Sequence, residues 1–303
     1  MKNLLLDLRT ARDIDSRVER LHRDLGYQGG KVKLEDVRAV LKLDIGYYRA
    51  NDPGLMSEVI HKLRVGAKQV VRRPGLLMDA IRKFDLKALF IPDRKQILLD
   101  ADLPDLKKRW SEGHEVLHSV IPWHNEYMLG DTAMTLTPSC HEQIEAEANY
   151  GTGRLLFPRD DFLSLAQTRP LDLASIKKIA EYFGNTITST LWRCVEQAEG
   201  PCLGLIGEHP HYPREGKQPI EHLIQSPAFA SQFGGFNESD AVVMLRRYCE
   251  FRRTGPIGNA EVLITDSNGD AHVFLAESFN NRYRTLTLAQ YLRPMTTQIV
   301  VSC

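Results

Sequence analysis

Residues 113–118 read Gly-His-Glu-Val-Leu-His, and no other stretch of the chain restricts its fold as much. Histidines four residues apart lie one turn above one another on a helix, so both imidazoles reach toward one point while Glu115 projects beside it. Such a pair suits a divalent zinc ion, with the carboxylate next to the water that the ion activates. His114 and His118 are therefore candidate zinc ligands, and Glu115 is the candidate general base. Composition alone yields His-Glu-x-x-His in roughly one chain in fifty of this length, so the motif needs support from its surroundings.

A catalytic zinc takes a third protein ligand and keeps one position open, and in one large class of peptidases a Glu on the following helix supplies that ligand. Residues 145–150 read Glu-Ala-Glu-Ala-Asn-Tyr, a strongly helical run. Glu145 and Glu147 lie about 200° apart around a helix, so only one of them can face the metal. Glu145 is preferred, because Asn149 then follows one turn on, where its amide can hold the second nitrogen of a zinc-bound histidine. Glu147 is the reserve.

Residues 108–118, followed by Glu145-Ala146-Glu147-Ala148-Asn149 and Leu155-Leu156-Phe157-Pro158, resemble the ImmA/IrrE family of zinc peptidases. The family pattern is Arg-Phe-Thr-x-x-His-Glu-x-x-His, then Glu-x-x-Ala-Asn-x-Phe-Ala, then Leu-Leu-Met-Pro, and the resemblance covers roughly residues 85–195. Three features depart from it: Leu117 stands where Gly is usual, Gly151 and Thr152 stand where Phe-Ala is usual, and the loop from His118 to Glu145 is long. The resemblance implies an α+β chain with a zincin-like (gluzincin) peptidase domain. It also implies a helix-turn-helix transcriptional repressor as substrate, whose cleavage releases genes for a stress, DNA-damage or anti-phage response.

At 303 residues with 43% hydrophobic content, the chain is long enough for more than one core. It has no apolar run of membrane-spanning length, and charges interrupt its start too early for a signal peptide, so a cytoplasmic protein with no membrane partner is expected. Zero formal net charge gives no global attraction to nucleic acid. Five widely spaced cysteines argue against a disulfide framework.

The expected organisation is a peptidase domain over 1–160, a helix-turn-helix-like helical segment over 161–200 and a small C-terminal α/β sensor domain over 201–303. Periodicity predicts helices over 8–25 and 33–41 and a strand over 43–48, with a turn at Asn51-Asp52-Pro53-Gly54. A hairpin over 88–100 precedes the zinc helix and is a candidate rail for an extended substrate. In the following loop, His124, Tyr127 or Tyr150 could stabilise an oxyanion. Cys140, five residues before Glu145, is a candidate inhibitory metal ligand. In the helical segment, Thr186, Ser189 and Arg193 could face DNA, although packing is the preferred role. The stretch 201–234 reads as linking structure with one strand at 202–206, followed by a helix over 240–251 and an Asn-Gly hairpin at 261–276. Residues 282–284 offer a third strand or its edge. Arg246, Arg247, Arg252 and Arg253 interleave with aromatic residues, the parts of a surface for single-stranded DNA acting as activator. Two other classes stay open: a DNA-binding regulator whose metal site is structural, and an antitoxin-type partner that sequesters a repressor without cutting it.

Overall fold

The first helix, α1 (Leu8–Asp24), starts where Asp7 accepts hydrogen bonds from the backbone N–H groups of Arg9 and Thr10. It ends before Gly26, whose φ of 62° suits a residue without a side chain. The computed structural model describes residues 6–48, 88–92, 95–124 and 138–295, giving the backbone alone at 89 and 138–141. The turn expected at 51–54 lies outside the described residues.

The chain forms two units, one from Leu6–Ser164 with Glu181–Thr186, the other from Leu165–Ala180 with Ile187–Cys303. The stretch 161–200, expected as a segment of its own, is thus divided between them. Among the described residues, no helix is long and apolar enough to cross a membrane.

In the first unit, α1 and α2 (Leu34–Leu41) precede a sheet of three strands: β1 (Asp44–Tyr48), β2 (Ala88–Ile91) and β3 (Gln96–Asp100). β3 is central, parallel to β1 and antiparallel to β2, so the expected hairpin is present and β2 is its outer strand. Two helices follow, α3 (Asp105–Val120) and α4 (Pro138–Leu156). Ile14 and Val18 of α1, Ile97 and Leu99 of β3, Val116 and Leu117 of α3, and Leu155 and Leu156 of α4 are buried. Phe157 meets Phe162 and Phe183 edge-on at 5.6 and 5.4 Å between ring centres, which closes this core.

Buried Arg109 holds the back of α3. It donates to Asn185 Oδ1 at 3.0 Å and to the Val32 carbonyl at 2.7 Å, while Asn185 donates to the Leu156 carbonyl at 2.9 Å. A charge removed from water is tolerated here because it is shared among several acceptors.

Leu117 and Gly151 meet in one space. A Cβ on Gly151 would lie 2.5 Å from Leu117 Cδ1 and 3.1 Å from Ile14 Cγ2, so Leu117 takes the room that a side chain at 151 would need. On the neighbouring row, a Cβ on Gly113 would approach Thr152 Cγ2 to 3.3 Å, while Thr152 Oγ1 donates to the Ala148 carbonyl at 2.6 Å. Glycines where the helices cross let the backbones draw close.

In chain order α5 (Arg159–Gln167), α6 (Leu173–Phe183) and α7 (Ile187–Glu196) come next. The second unit then adds β4 (Cys202–Gly207), β5 (Ile220–Gln225), α8 (Pro227–Gln232), α9 (Glu238–Tyr248), β6 (Gly255–Thr265), β7 (Ala271–Asn280) and β8 (Thr285–Pro294). The strands form an antiparallel sheet in the order β5-β4-β8-β7-β6. Leu203 and Leu205 of β4 join a core with Phe229 of α8, Phe233, and Met244 and Leu245 of α9. On the other face of β4, Gly204 leaves room for Val195 of α7, whose Cγ2 would stand 3.0 Å from an added Cβ. Both faces of β4 are therefore covered, and all its residues are buried.

Several boundaries differ from those read in the sequence. The stretch 201–234 holds a second strand, β5, and a short helix, α8, which Ser226 caps through a 3.1 Å bond from Phe229 N–H. α9 starts at Glu238 because Asn237 and Asp240 form a capping box. Residues 282–284 belong to a turn, with Arg282 at φ 77°, and the third strand begins at Thr285. Arg193, a candidate DNA contact, is 2% exposed within α7 and so is unavailable to a groove.

Gly151→Ala is expected to destabilise the protein by about 1–3 kcal/mol, and by clearly less in a Leu117→Ala background. Urea unfolding of the four combinations measures this; equal costs in both backgrounds would show that the two positions do not share space.

Candidate metal centre

The four-residue spacing on α3 puts His114 and His118 on one face, and α4 brings Glu145 across from them. His118 Nε2 lies 3.1 Å from His114 Nε2. Glu145 places Oε2 3.1 Å from His114 Nε2 and Oε1 3.7 Å from His118 Nε2. Ligand atoms of all three residues lie within 4.8 Å of one another. Donors on a tetrahedral zinc at about 2.0–2.1 Å stand roughly 3.3 Å apart, so the spacing suits an ion of that size.

The outer nitrogens support the same fit. His114 Nδ1 bonds to Asn149 Oδ1 at 3.1 Å, and His118 Nδ1 lies 3.0 Å from His124 Nδ1. Both rings thus use Nδ1 away from the centre and turn Nε2 inward, toward the carboxylate of Glu145. Lone pairs converging in this way are satisfied by a cation. Glu145, with its side chain 41% exposed, is the most exposed of the three. Burial on its own lowers the pKa of His114, but the bond to Glu145 and the charges of Glu115 and Glu145 raise it above the ordinary imidazole value. The site calls for positive charge.

Glu115 lies between the two ligands on α3 and is 7% exposed. Burial, with the charge of Glu145 adding to it, pushes its carboxyl up to about 7, while His114 and the Phe90 N–H of β2 act in the opposite direction. A carboxyl poised there can take a proton and return it near neutral pH.

Glu147 points elsewhere, as the 200° offset on the helix requires. It is 3% exposed and accepts from His124 Nε2 at 3.0 Å, Trp123 Nε1 at 2.6 Å and Gln143 Nε2 at 3.0 Å. These bonds hold the reserve ligand away from the centre. They also overturn His124 as an oxyanion donor, since it is fully buried between His118 and Glu147. Tyr150 faces α1 instead, donating to Asp15 Oδ1 at 3.0 Å. Tyr127 and the Cys140 side chain lie outside the described residues. The contact of His124 with His118 had no signal in the sequence, because α3 ends at Val120 and no helical spacing relates the two positions.

In the second unit, Arg246, Arg247, Arg252 and Arg253 are all exposed near the end of α9. Arg246 Nε donates to the Pro210 carbonyl at 3.2 Å, Arg252 lies 3.9 Å from Glu250, and Arg253 stands 4.7 Å above the Tyr212 ring. Phe251, 67% exposed, stacks on His211 at 4.0 Å. His209 and His211 turn their Nε2 atoms to the backbone carbonyls of Arg252 and Cys249.

Two histidines of one helix and a carboxylate of the next, with a buried acid between the histidines, form the donor arrangement of a metallopeptidase-type centre. Residues 67–194 match the family model of peptidase M78, described as the IrrE N-terminal-like domain. No match was found among curated proteins. A solved structure of a Mycobacterium tuberculosis transcriptional regulator is similar in fold, with a TM-score of 0.52 at 13% identity over 96% of this chain and 94% of that one.

Because folding raises the pKa of Glu115, its contribution to stability is most favourable below the unfolded value of about 4.3 and is lost as pH rises toward 7. Glu115→Gln, uncharged throughout, is therefore expected to stabilise the metal-free protein by up to about 3 kcal/mol at pH 8 and to change it little at pH 4. Urea unfolding of chelator-treated protein at both pH values checks this; an equal effect at both would show that Glu115 does not titrate abnormally.

Proposed function

We propose that this chain is a zinc-dependent endopeptidase that cleaves a helix-turn-helix transcriptional repressor and thereby releases a stress, DNA-damage or anti-phage response. The observation that carries the reading is the convergence of His114, His118 and Glu145 beside the buried acid Glu115. His114, His118 and Glu145 would hold the zinc, which when bound supplies Lewis acidity toward a peptide carbonyl. Glu115 takes a proton from the attacking water and delivers it to the departing amine. The exposed side of Glu145 leaves room for substrate at an otherwise buried centre.

The outer position of β2 among the described strands supports the hairpin as substrate rail. An extended peptide added to β2 would run beside α3, where Phe90 N–H already bonds Glu115. The repressor as substrate rests on the likeness of residues 67–194 to the IrrE N-terminal-like domain. For the activator we favour single-stranded DNA, because Arg246, Arg247, Arg252 and Arg253 lie near exposed Phe251 and Tyr212. A second reading, a DNA-binding regulator with a structural metal, draws on the similar mycobacterial structure, which is named as a transcriptional regulator.

Co-expression with a repressor encoded beside the gene separates these readings. Wild-type protein is expected to yield a truncated repressor, and a chelator to prevent it. Glu115→Gln is expected to retain zinc and lose cleavage by roughly 10²–10⁴-fold; undiminished cleavage would falsify the assignment of the base. Replacing the four arginines with Gln is expected to weaken single-stranded DNA binding and flatten its salt dependence. An unchanged salt slope would remove DNA as activator.

A further inference from the structure

Glu147 and His124 are as buried as core residues, yet they are neither apolar nor ligands. An ionised carboxylate taken out of water costs several kcal/mol unless it is well bonded. Three donors meet Glu147, from His124, Trp123 and Gln143. Trp123 Nε1 and the Gln143 amide nitrogen can only donate, so both oxygens of Glu147 serve as acceptors. Accepting from His124 as well puts the proton of that 3.0 Å bond on His124 Nε2. The other ring nitrogen, Nδ1, faces His118 Nδ1 at 3.0 Å, where one nitrogen donates and the other accepts. His118 donates there when its Nε2, directed at His114 and Glu145, gives its lone pair to a metal, so metal binding and the bond to Glu147 call for the same arrangement of protons.

We propose that Glu147 and His124 are positioning residues for the metal centre, a buried carboxylate–imidazole relay that fixes the metal-binding tautomer of His118 and strengthens it as a ligand. The inference rests on the same three-ligand site as the proposed function. The two histidine ligands are then treated differently. His114 is oriented by the neutral amide of Asn149, whereas His118 is oriented by a negative charge passed through a second imidazole. Carboxylate partners of this kind raise the basicity of a ligating imidazole, and losing them typically costs about 10–100-fold in metal affinity.

The test uses the full chain, stripped of metal, with zinc titrated against a chromophoric chelator and histidine nitrogen shifts read by ¹⁵N NMR. His124→Phe is expected to weaken zinc binding about 10–100-fold and to depopulate the Nδ1–H tautomer of His118. Glu147→Gln, which keeps the side-chain shape, is expected to weaken it about tenfold. Because Glu147 acts through His124, the double variant should bind no worse than His124→Phe alone. Unchanged affinity and tautomer in Glu147→Gln, or fully additive losses in the double variant, would overturn the relay while leaving the metal site standing. Wild-type protein that took up no zinc would instead remove the metal site, and the relay with it. Should His124→Phe not fold, the isosteric Glu147→Gln decides.

Discussion

The close crossing of α3 and α4 is the contact on which the candidate centre depends. Gly113 and Leu117 form a row on α3 one residue, about 100°, from the row of His114 and His118. That row meets Thr152 and Leu156 of α4 closely, and a Cβ on Gly151 would come within 2.5 Å of Leu117. Only with the backbones this near can a side chain as short as Glu145 reach both imidazoles. Ligand geometry is here a result of apolar packing, and Arg109 steadies α3 from behind through its bonds to Val32 and Asn185.

The carboxylates of Glu115, Glu145 and Glu147 lie at or beside the candidate centre, and their surroundings give each a different task. Glu145 is partly exposed and faces the imidazoles, which suits an ionised ligand. Glu115 is buried with little compensation, so its proton affinity rises to the range where proton transfer is easy. Glu147 is also buried but receives three hydrogen bonds and stays charged. Residues of identical chemistry are separated by the number of donors each one meets.

What could be read in the sequence was the part governed by local spacing. His114, Glu115 and His118 follow from one helical turn, and the opposed directions of Glu145 and Glu147 follow from another. The hairpins at 88–100 and 261–276 follow from strand alternation and turn residues, although the second extends further in both strands, from Gly255 to Asn280. What could not be read depends on partners distant in the chain. His124 lacks any periodic relation to His118, and Arg193 looks like a surface residue until α7 is seen packed on β4. The Pro- and His-rich stretch 201–234 hides β5, because its strand character comes from pairing with β4. Leu117 and Gly151 look unrelated as letters, yet they share one space where the helices cross.

In the second unit β8 joins β4 on one side and β7 on the other, so the strand that comes last in sequence occupies the middle of the sheet. Until Thr285–Pro294 is inserted, the unit consists of two separate two-stranded ribbons, each marginal in water. During synthesis the residues of the candidate centre leave the ribosome more than a hundred residues earlier than this strand does, judged from positions 145 and 285. A nascent chain can therefore bring His114, His118 and Glu145 together while the remainder still waits for the keystone of its sheet.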